Sequence, residues 1–250
     1  MTTILVPYHQ DEQLPPAHFP LPDGQSATVV ADLPAGEIWS RLVSLYSAVA
    51  DAVAASDAVP TVVSGDCLVA LGTVAGVQRA GLDPAIVWFD AHGDVHTLET
   101  TTSGYLGGLS LRLVLGAHPE LVAQPLGLRP VAEERAVLVD ARDLDPAEAD
   151  FLAGGAVRRV PVAELAAGSL PDGPIVLHVD VDVVDAAVLP GLLFPAPDGP
   201  SADDVVAACR RVVATGRVVA VDIACPWTSV ADERVTGPRA ELLARLTALG

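Results

Sequence analysis

Three short stretches of this sequence place polar, reactive side chains where apolar runs should end or continue: Ser64 to Cys67, Asp90 to Asp94, and His178 to Asp182. Asp180 and Asp182 stand two residues apart within the run Ile175–Asp185. On a strand, positions i and i+2 point the same way, so both carboxylates face one side of a sheet end. Buried like charges at that separation repel, and one must take up a proton unless a cation lies between them. The segment Asp90-Ala91-His92-Gly93-Asp94 repeats this spacing with an imidazole in the middle. Four carboxylates and one imidazole exceed the needs of a single ion, which predicts a binuclear centre. An oxygen-rich shell favours Mn²⁺ over Zn²⁺, with Fe²⁺ or Ni²⁺ as competitors. Two such ions lower the pKa of a shared water and turn it into a nucleophile. A lone Asp-x-Asp reads more simply as a turn or helix cap. Two such motifs, each behind an apolar run, favour the metal.

The elements that position these residues follow from the patterning. Short apolar runs predict strands at Thr3–Val6, Thr61–Ser64, Ala85–Phe89, Ala136–Val139, Val157–Val162, Ile175–Val181 and Arg217–Ile223. Between them, helix-like segments cover Gly36–Ala55, Leu68–Ala80, Leu106–Leu115, Pro146–Ala153, Ala202–Ala214 and Pro238–Leu249. Strands apolar on both faces alternating with helices predict an α/β fold, a mainly parallel sheet covered on both sides. Ser201 before an acidic first turn and Asp145 before Pro146 carry helix-start signals. Gly/Pro-rich stretches at Leu14–Gly24 and Pro190–Pro200 punctuate the chain without dividing it, which predicts one domain over residues 1–250. In open α/β sheets, ligand chemistry gathers beyond the carboxyl ends of strands, where the three polar stretches fall.

Composition narrows the function classes. The 250 residues carry Lys+Arg 14 against Asp+Glu 32, a formal charge of −18, with 51% hydrophobic residues. Such a balance supports a large core and disfavours nucleic acid as partner. Every basic residue is Arg, and Lys and Asn are absent. That excludes a Schiff-base lysine, a lysine-bearing phosphate loop and N-glycosylation. Cys67, Cys209 and Cys225 are too few and too scattered for a disulfide framework. With no leader-like start and no transmembrane-length apolar run, the expected setting is cytoplasmic, without a membrane partner. His9, His18 and His118 sit in Pro-rich or turn contexts and read as solvent-exposed.

The three stretches together resemble the arginase (ureohydrolase) family. Its Gly-Gly-Asp-His loop, Asp-Ala-His-x-Asp loop and Ser-x-Asp-x-Asp-x-x-Asp-Pro segment recur here in the same order, and the likeness continues from Asp90 through Gly108. The resemblance spans about Ser64 to Pro226. It implies a three-layer α/β/α fold, two Mn²⁺ ions and hydrolysis of a guanidine or amidine C–N bond. Carried over by position, one ion is held by Cys67, Asp90, Asp94 and Asp180, the other by Asp90, His92, Asp180 and Asp182. Asp94 also passes a proton to the leaving amine. His96, Thr101 and Ser103 match residues that hold an amino-acid carboxylate, and Asp145 matches the acid that holds the α-amino group. The implied partner is thus a small amino-acid-like molecule, and homo-oligomers are common in the family.

Four departures refine that expectation. Cys67 stands where the family has a metal-binding His. Four carboxylates and a thiolate carry about −5 against about +4 from two ions, so the ions become weaker Lewis acids. The same Cys, and the stretch Glu99–Gly108, are similar to the branch of the family that hydrolyses Nω-hydroxy-L-arginine to hydroxyurea and ornithine. Cys225 falls where the family places a guanidinium-binding Glu, unless the alignment shifts. An unpaired guanidinium forgoes a charged hydrogen bond of about 1.5–3 kcal/mol, which favours a less basic group such as a hydroxyguanidine. Gly107 stands where arginases place an assisting His. His96 replaces an Asn, and Ala186 the Pro after Asp185. The leading expectation is a metal-dependent amidinohydrolase of specialised metabolism. Its rivals are a binding or regulatory protein that has lost turnover, and a thiol switch joining Cys67 to Cys225.

Overall fold

The computed structural model describes residues 2–22 and 26–249, so Asp23 and Gly24, at the end of the first Gly/Pro-rich stretch, lie outside the described residues. The strands are β1 (Thr2–Val6), β2 (Tyr8–His9), β3 (Glu12–Gln13), β4 (Ser26–Thr28), β5 (Pro60–Ser64), β6 (Ala85–Asp90), β7 (Ala136–Asp140), β8 (Arg158–Val160), β9 (Ile175–Asp180) and β10 (Val218–Ala224). The α-helices are α1 (Ile38–Ala54), α2 (Ala70–Arg79), α3 (Ser110–Val114), α4 (Ala123–Leu126), α5 (Pro146–Gly154), α6 (Ala202–Val213) and α7 (Glu233–Thr247).

Eight strands form one parallel sheet in the order β4-β1-β5-β10-β9-β6-β7-β8. Burial on both faces explains the unbroken apolar runs: β5, β6 and β9 are buried at every position. Even-numbered side chains such as Ile86, Trp88 and Val176 pack with α1 and α2. Odd-numbered ones such as Val87, Phe89, Leu177 and Val179 pack with α6 and α7. This is the expected three-layer α/β/α arrangement.

Helix α2 is buried from Ala70 to Gln78, and small residues let it press against α1. A Cβ on Gly76 would meet Val53 Cβ at 2.6 Å and Ala50 O at 2.7 Å, so only glycine permits this approach. That contact fixes the height of the loop preceding α2, which carries Cys67.

Several boundaries differ from the sequence reading. The run Val157–Val162 yields only Arg158–Val160, because Pro161 cannot continue the ladder. Leu106–Leu115 splits into a 3₁₀ turn at Gly107–Leu109 and the short α3. The last helix starts at Glu233, because Asp232 caps it by accepting from Arg234 N, and Pro238 is absorbed inside. The edge strand β4 and the β2–β3 hairpin carry too little apolar pattern to be expected. His18, expected in solvent, is only 7% exposed; its Nδ1 lies 2.9 Å from Ser229 Oγ, and its carbonyl accepts from Trp227 Nε1. His9 and His118 are half-buried, beside Gly65 O and Glu99 respectively.

Candidate metal centre and active site

The loops after β5, β6 and β9 share one local device. Asp66 Oδ1 accepts from Leu68 N at 2.8 Å, Asp90 Oδ1 from His92 N at 2.7 Å, and Asp180 Oδ1 from Asp182 N at 2.8 Å. Each aspartate thus folds the chain back on itself two residues on, ending the strand and holding its carboxylate at the sheet edge. The expectation that Asp180 and Asp182 share a strand face needs correction. β9 stops at Asp180, and Asp182 lies in a 3₁₀ turn, Val181–Val183, that swings its carboxylate toward the β6 loop. There Asp182 Oδ1 accepts from Ala91 N at 3.3 Å, and Oδ2 lies 3.2 Å from His92 Nδ1.

The side chains converge in a cleft of 210 Å³ lined by Cys67, Asp90, His92, Asp94, Asp180 and Asp182 at its floor. Ligand atoms of Asp90, His92 and Asp182 lie within 4.8 Å of one another, as do those of Cys67, Asp90 and His178. The Cys67 thiol donates to Asp180 Oδ2 at 2.8 Å and lies 4.0 Å from Asp90 Oδ2.

Electrostatically the floor is frustrated. Burial, with Asp90 and Asp180 nearby, holds the Asp94 carboxyl well above its ordinary range. Burial and the charges of Asp182 and Asp90 do the same to Asp180. Burial and Asp90 raise Asp182 to about 6. Burial lowers the His92 pKa, but hydrogen bonds to Asp182 and Asp90 outweigh it and lift it to about 12. For Asp90 burial pushes upward, yet contact with His92 leaves it below the usual value. Burial and the surrounding aspartates push the Cys67 thiol up. Asp94 Oδ2 is buried with no hydrogen-bond partner among the described residues. An orphaned carboxylate oxygen beside other buried acids is what divalent cations resolve, so the donor set fits them.

Above the floor, the expected substrate contacts divide. His96, Ser103 and Asp145 line the cleft, whereas Thr101 does not; its hydroxyl accepts from Gly104 N at 3.1 Å. His96 Nε2 already lies 3.0 Å from Asp145 Oδ2, so the imidazole holds a side-chain carboxylate of its own protein. Cys225 is wholly buried in the α6/α7-side cluster and is absent from the lining, where its neighbour Pro226 appears instead. β10 ends one residue earlier, Cys225 N donates to Ser64 O at 2.9 Å, and the thiol lies on the side of Val221 and Ile223. This placement gives no support to the expected Cys225 contact with substrate or to a Cys67–Cys225 thiol switch.

Other lining residues were not singled out by the sequence. Glu148 is buried, accepts from Asp145 N and Val95 N, and closes a capping box on α5. Tyr105 fills the space a side chain on Gly107 would need, its ring overlapping the place of that Cβ, and it packs on Phe194 at 4.5 Å. Asp143 stands at the mouth, 4.0 Å from His92 Nε2. The capping box was legible in the spacing Asp145…Glu148; the Tyr105 contact was not.

The model of the arginase family matches residues 7–237. The chain belongs to the arginase family. An Nω-hydroxy-L-arginine amidinohydrolase from Streptomyces lavendulae is 33% identical over 172 residues, 67% of this chain and 60% of that protein. A Schizosaccharomyces pombe arginase is 34% identical over 176 residues, 64% of this chain and 54% of that protein. The match therefore spans less than two thirds of these relatives. The arginase fold is also evident against the Bacillus cereus arginase structure, at TM-score 0.80, 23% identity, and coverage of 100% of this chain and 98% of that one. A Bacillus subtilis formimidoylglutamase aligns at TM-score 0.70 and 17% identity, covering 99% of this chain and 85% of that one. No helix among the described residues of this arginase-family chain is long and apolar enough to cross a membrane.

Proposed function

We propose that the protein is a binuclear-metal amidinohydrolase that cleaves a C–N bond in a small amino-acid-like molecule, with Nω-hydroxy-L-arginine as the leading substrate and hydroxyurea and ornithine as products. The observation that carries this reading is the convergence of Cys67, Asp90, His92, Asp94, Asp180 and Asp182 from three loops on one buried floor. Cys67, Asp90, Asp94 and Asp180 would hold one Mn²⁺, and Asp90, His92, Asp180 and Asp182 the other. When bound, such ions would make water acidic enough to attack at neutral pH and would stabilise the negative charge that develops on the heteroatoms around the carbon under attack.

The chain's own groups supply the rest. Asp94, on the floor beside Asp90 and Asp180, would accept the proton released from water and return it to the departing nitrogen. The rim acids Asp145 and Asp143 suit an α-ammonium group. Cys225, at the position of the family's guanidinium-binding Glu, lies outside the cleft and Pro226 lines it instead, which favours the less basic hydroxyguanidine. Similarity to the S. lavendulae hydrolase supports the same choice. The free, buried Cys67, Cys209 and Cys225 accord with a cytoplasmic setting.

Hydrolysis assays on manganese-loaded protein, with hydroxy-arginine, arginine, agmatine and formimino substrates compared side by side, test this reading. Hydroxyurea release that exceeds urea release supports it. Full metal occupancy without turnover on any of the panel favours instead a binding or regulatory protein on the same fold.

A further inference from the structure

His178 lies outside the ligand set carried over from the family, yet it sits directly beneath the centre. The register places Trp88, His178 and Asp222 side by side on β6, β9 and β10, one row below Asp90 and Asp180. All three are fully buried. His178 Nδ1 lies 2.8 Å from Asp222 Oδ1, and the other Asp222 oxygen accepts from the Thr73 hydroxyl on α2. Trp88 stacks on the imidazole at 3.6 Å, setting its plane, and donates its Nε1–H to Asp90 Oδ2 at 3.2 Å.

The second imidazole nitrogen decides what this arrangement is for. His178 Nε2 is buried and has no hydrogen-bond partner among the described residues. Burying such an atom unsatisfied costs about 1–3 kcal/mol, and buried polar atoms nearly always find a partner. A proton on Nδ1, shared with Asp222, leaves a lone pair on Nε2. That is the carboxylate–histidine arrangement that orients imidazole ligands in metal sites. A His178 ring nitrogen falls within 4.8 Å of the ligand atoms of Cys67 and Asp90.

Resting on the metal-centre reading above, we propose that His178 is the imidazole ligand of the Cys67-side cation, oriented by Asp222. The imidazole that the family draws from the position of Cys67 comes here from β9, two strands away from β5 in the sheet. A neutral ligand adds a bond without adding negative charge to a shell already rich in it. Thiolate and imidazole together form a softer site than the carboxylate-rich set around His92 and Asp182. The two positions are therefore unlike, the first taking Zn²⁺, Co²⁺ or Fe²⁺ more readily than the second does.

The test uses the full chain carrying His92→Gln, loaded with one equivalent of Zn²⁺ and examined by X-ray absorption at the zinc edge. One sulfur and one imidazole per zinc is the expected result. Adding His178→Gln removes the imidazole signal while the sulfur remains, and weakens zinc at least tenfold in chelator competition. Asp222→Asn, which keeps the imidazole but loosens its orientation, weakens zinc by about 10–100-fold. Because the spectrum of the His178-containing protein is informative by itself, a misfolded His178 variant does not blunt the test. Sulfur without imidazole overturns the role of His178 alone. Absence of both sulfur and bound zinc overturns it together with the metal-centre reading.

Discussion

Cys67 Sγ and Asp180 Oδ2, brought from the ends of non-adjacent strands, lie 2.8 Å apart with the thiol proton between them. Burial and three aspartates make a free thiolate unfavourable there, so the proton leaves only when a cation replaces it. Cys67→Ala is therefore expected to bring bound metal down from two ions toward one per chain, by elemental analysis after dialysis. Cys67→His, which restores a neutral hard-leaning ligand, is expected to raise manganese affinity. Equal metal content in all three proteins would show that Cys67 is not a ligand.

Asp94 combines two costs. Its φ is +53°, a left-handed conformation, and its Oδ2 is buried without a partner among the described residues. Asn tolerates that conformation well and carries no charge. Asp94→Asn should consequently leave the melting temperature of metal-free protein unchanged or raised, while kcat falls about 10²–10⁴-fold through loss of proton transfer. Calorimetry and steady-state kinetics on the same preparations check both. A variant that loses stability and activity together would argue for a structural role.

The alternation of doubly apolar strands with helices made the sheet legible, and so were the residue types at its carboxyl edge. What the sequence could not show was which residues become neighbours across strands. His178 reads as an interruption of a core strand until β10 sets Asp222 beside it and β6 sets Trp88 on its face. Period-two spacing brought Asp180 and Asp182 together for the wrong reason, since an Asp-driven turn, not a shared strand face, carries Asp182 to His92. Cys225 was carried over by resemblance alone; in the structure it keeps the odd-numbered facing of β10 and packs in the α6/α7-side cluster with Val221 and Ile223.

Gly65 precedes the Cys67 loop where backbone packs on backbone. A Cβ there would stand 2.5 Å from Tyr8 O, the atom that accepts from Gly65 N at 2.9 Å. A carbonyl held by the chain cannot move aside as a side-chain tip would, so the loop must shift and the hydrogen bond breaks. Gly65→Ala is expected to cost about 1–3 kcal/mol in denaturant unfolding. It should also weaken metal on the Cys67 side more than on the His92 side. Unchanged stability would mean that the β2–β3 hairpin yields without consequence.

The pH dependence of metal-free protein follows from groups whose proton affinity is raised on folding. Asp182 moves from 3.8 to about 6, so between those values the folded state holds a proton that the unfolded state has released. Stability then falls as pH rises through this window. His92 moves from 6.5 to about 12; its contribution is fully present below 6.5 and is lost as pH climbs toward the folded value. Both shifts have the same sign, so metal-free protein should melt progressively lower from about pH 4 upward at this site. A divalent cation replaces those protons, and its stabilising effect should grow over the same interval because binding no longer competes with protonation. Melting curves with and without manganese at pH 5 and pH 8 measure this directly. A larger metal-induced shift at pH 5 than at pH 8 would contradict the assignment of Asp182 and His92 to the centre.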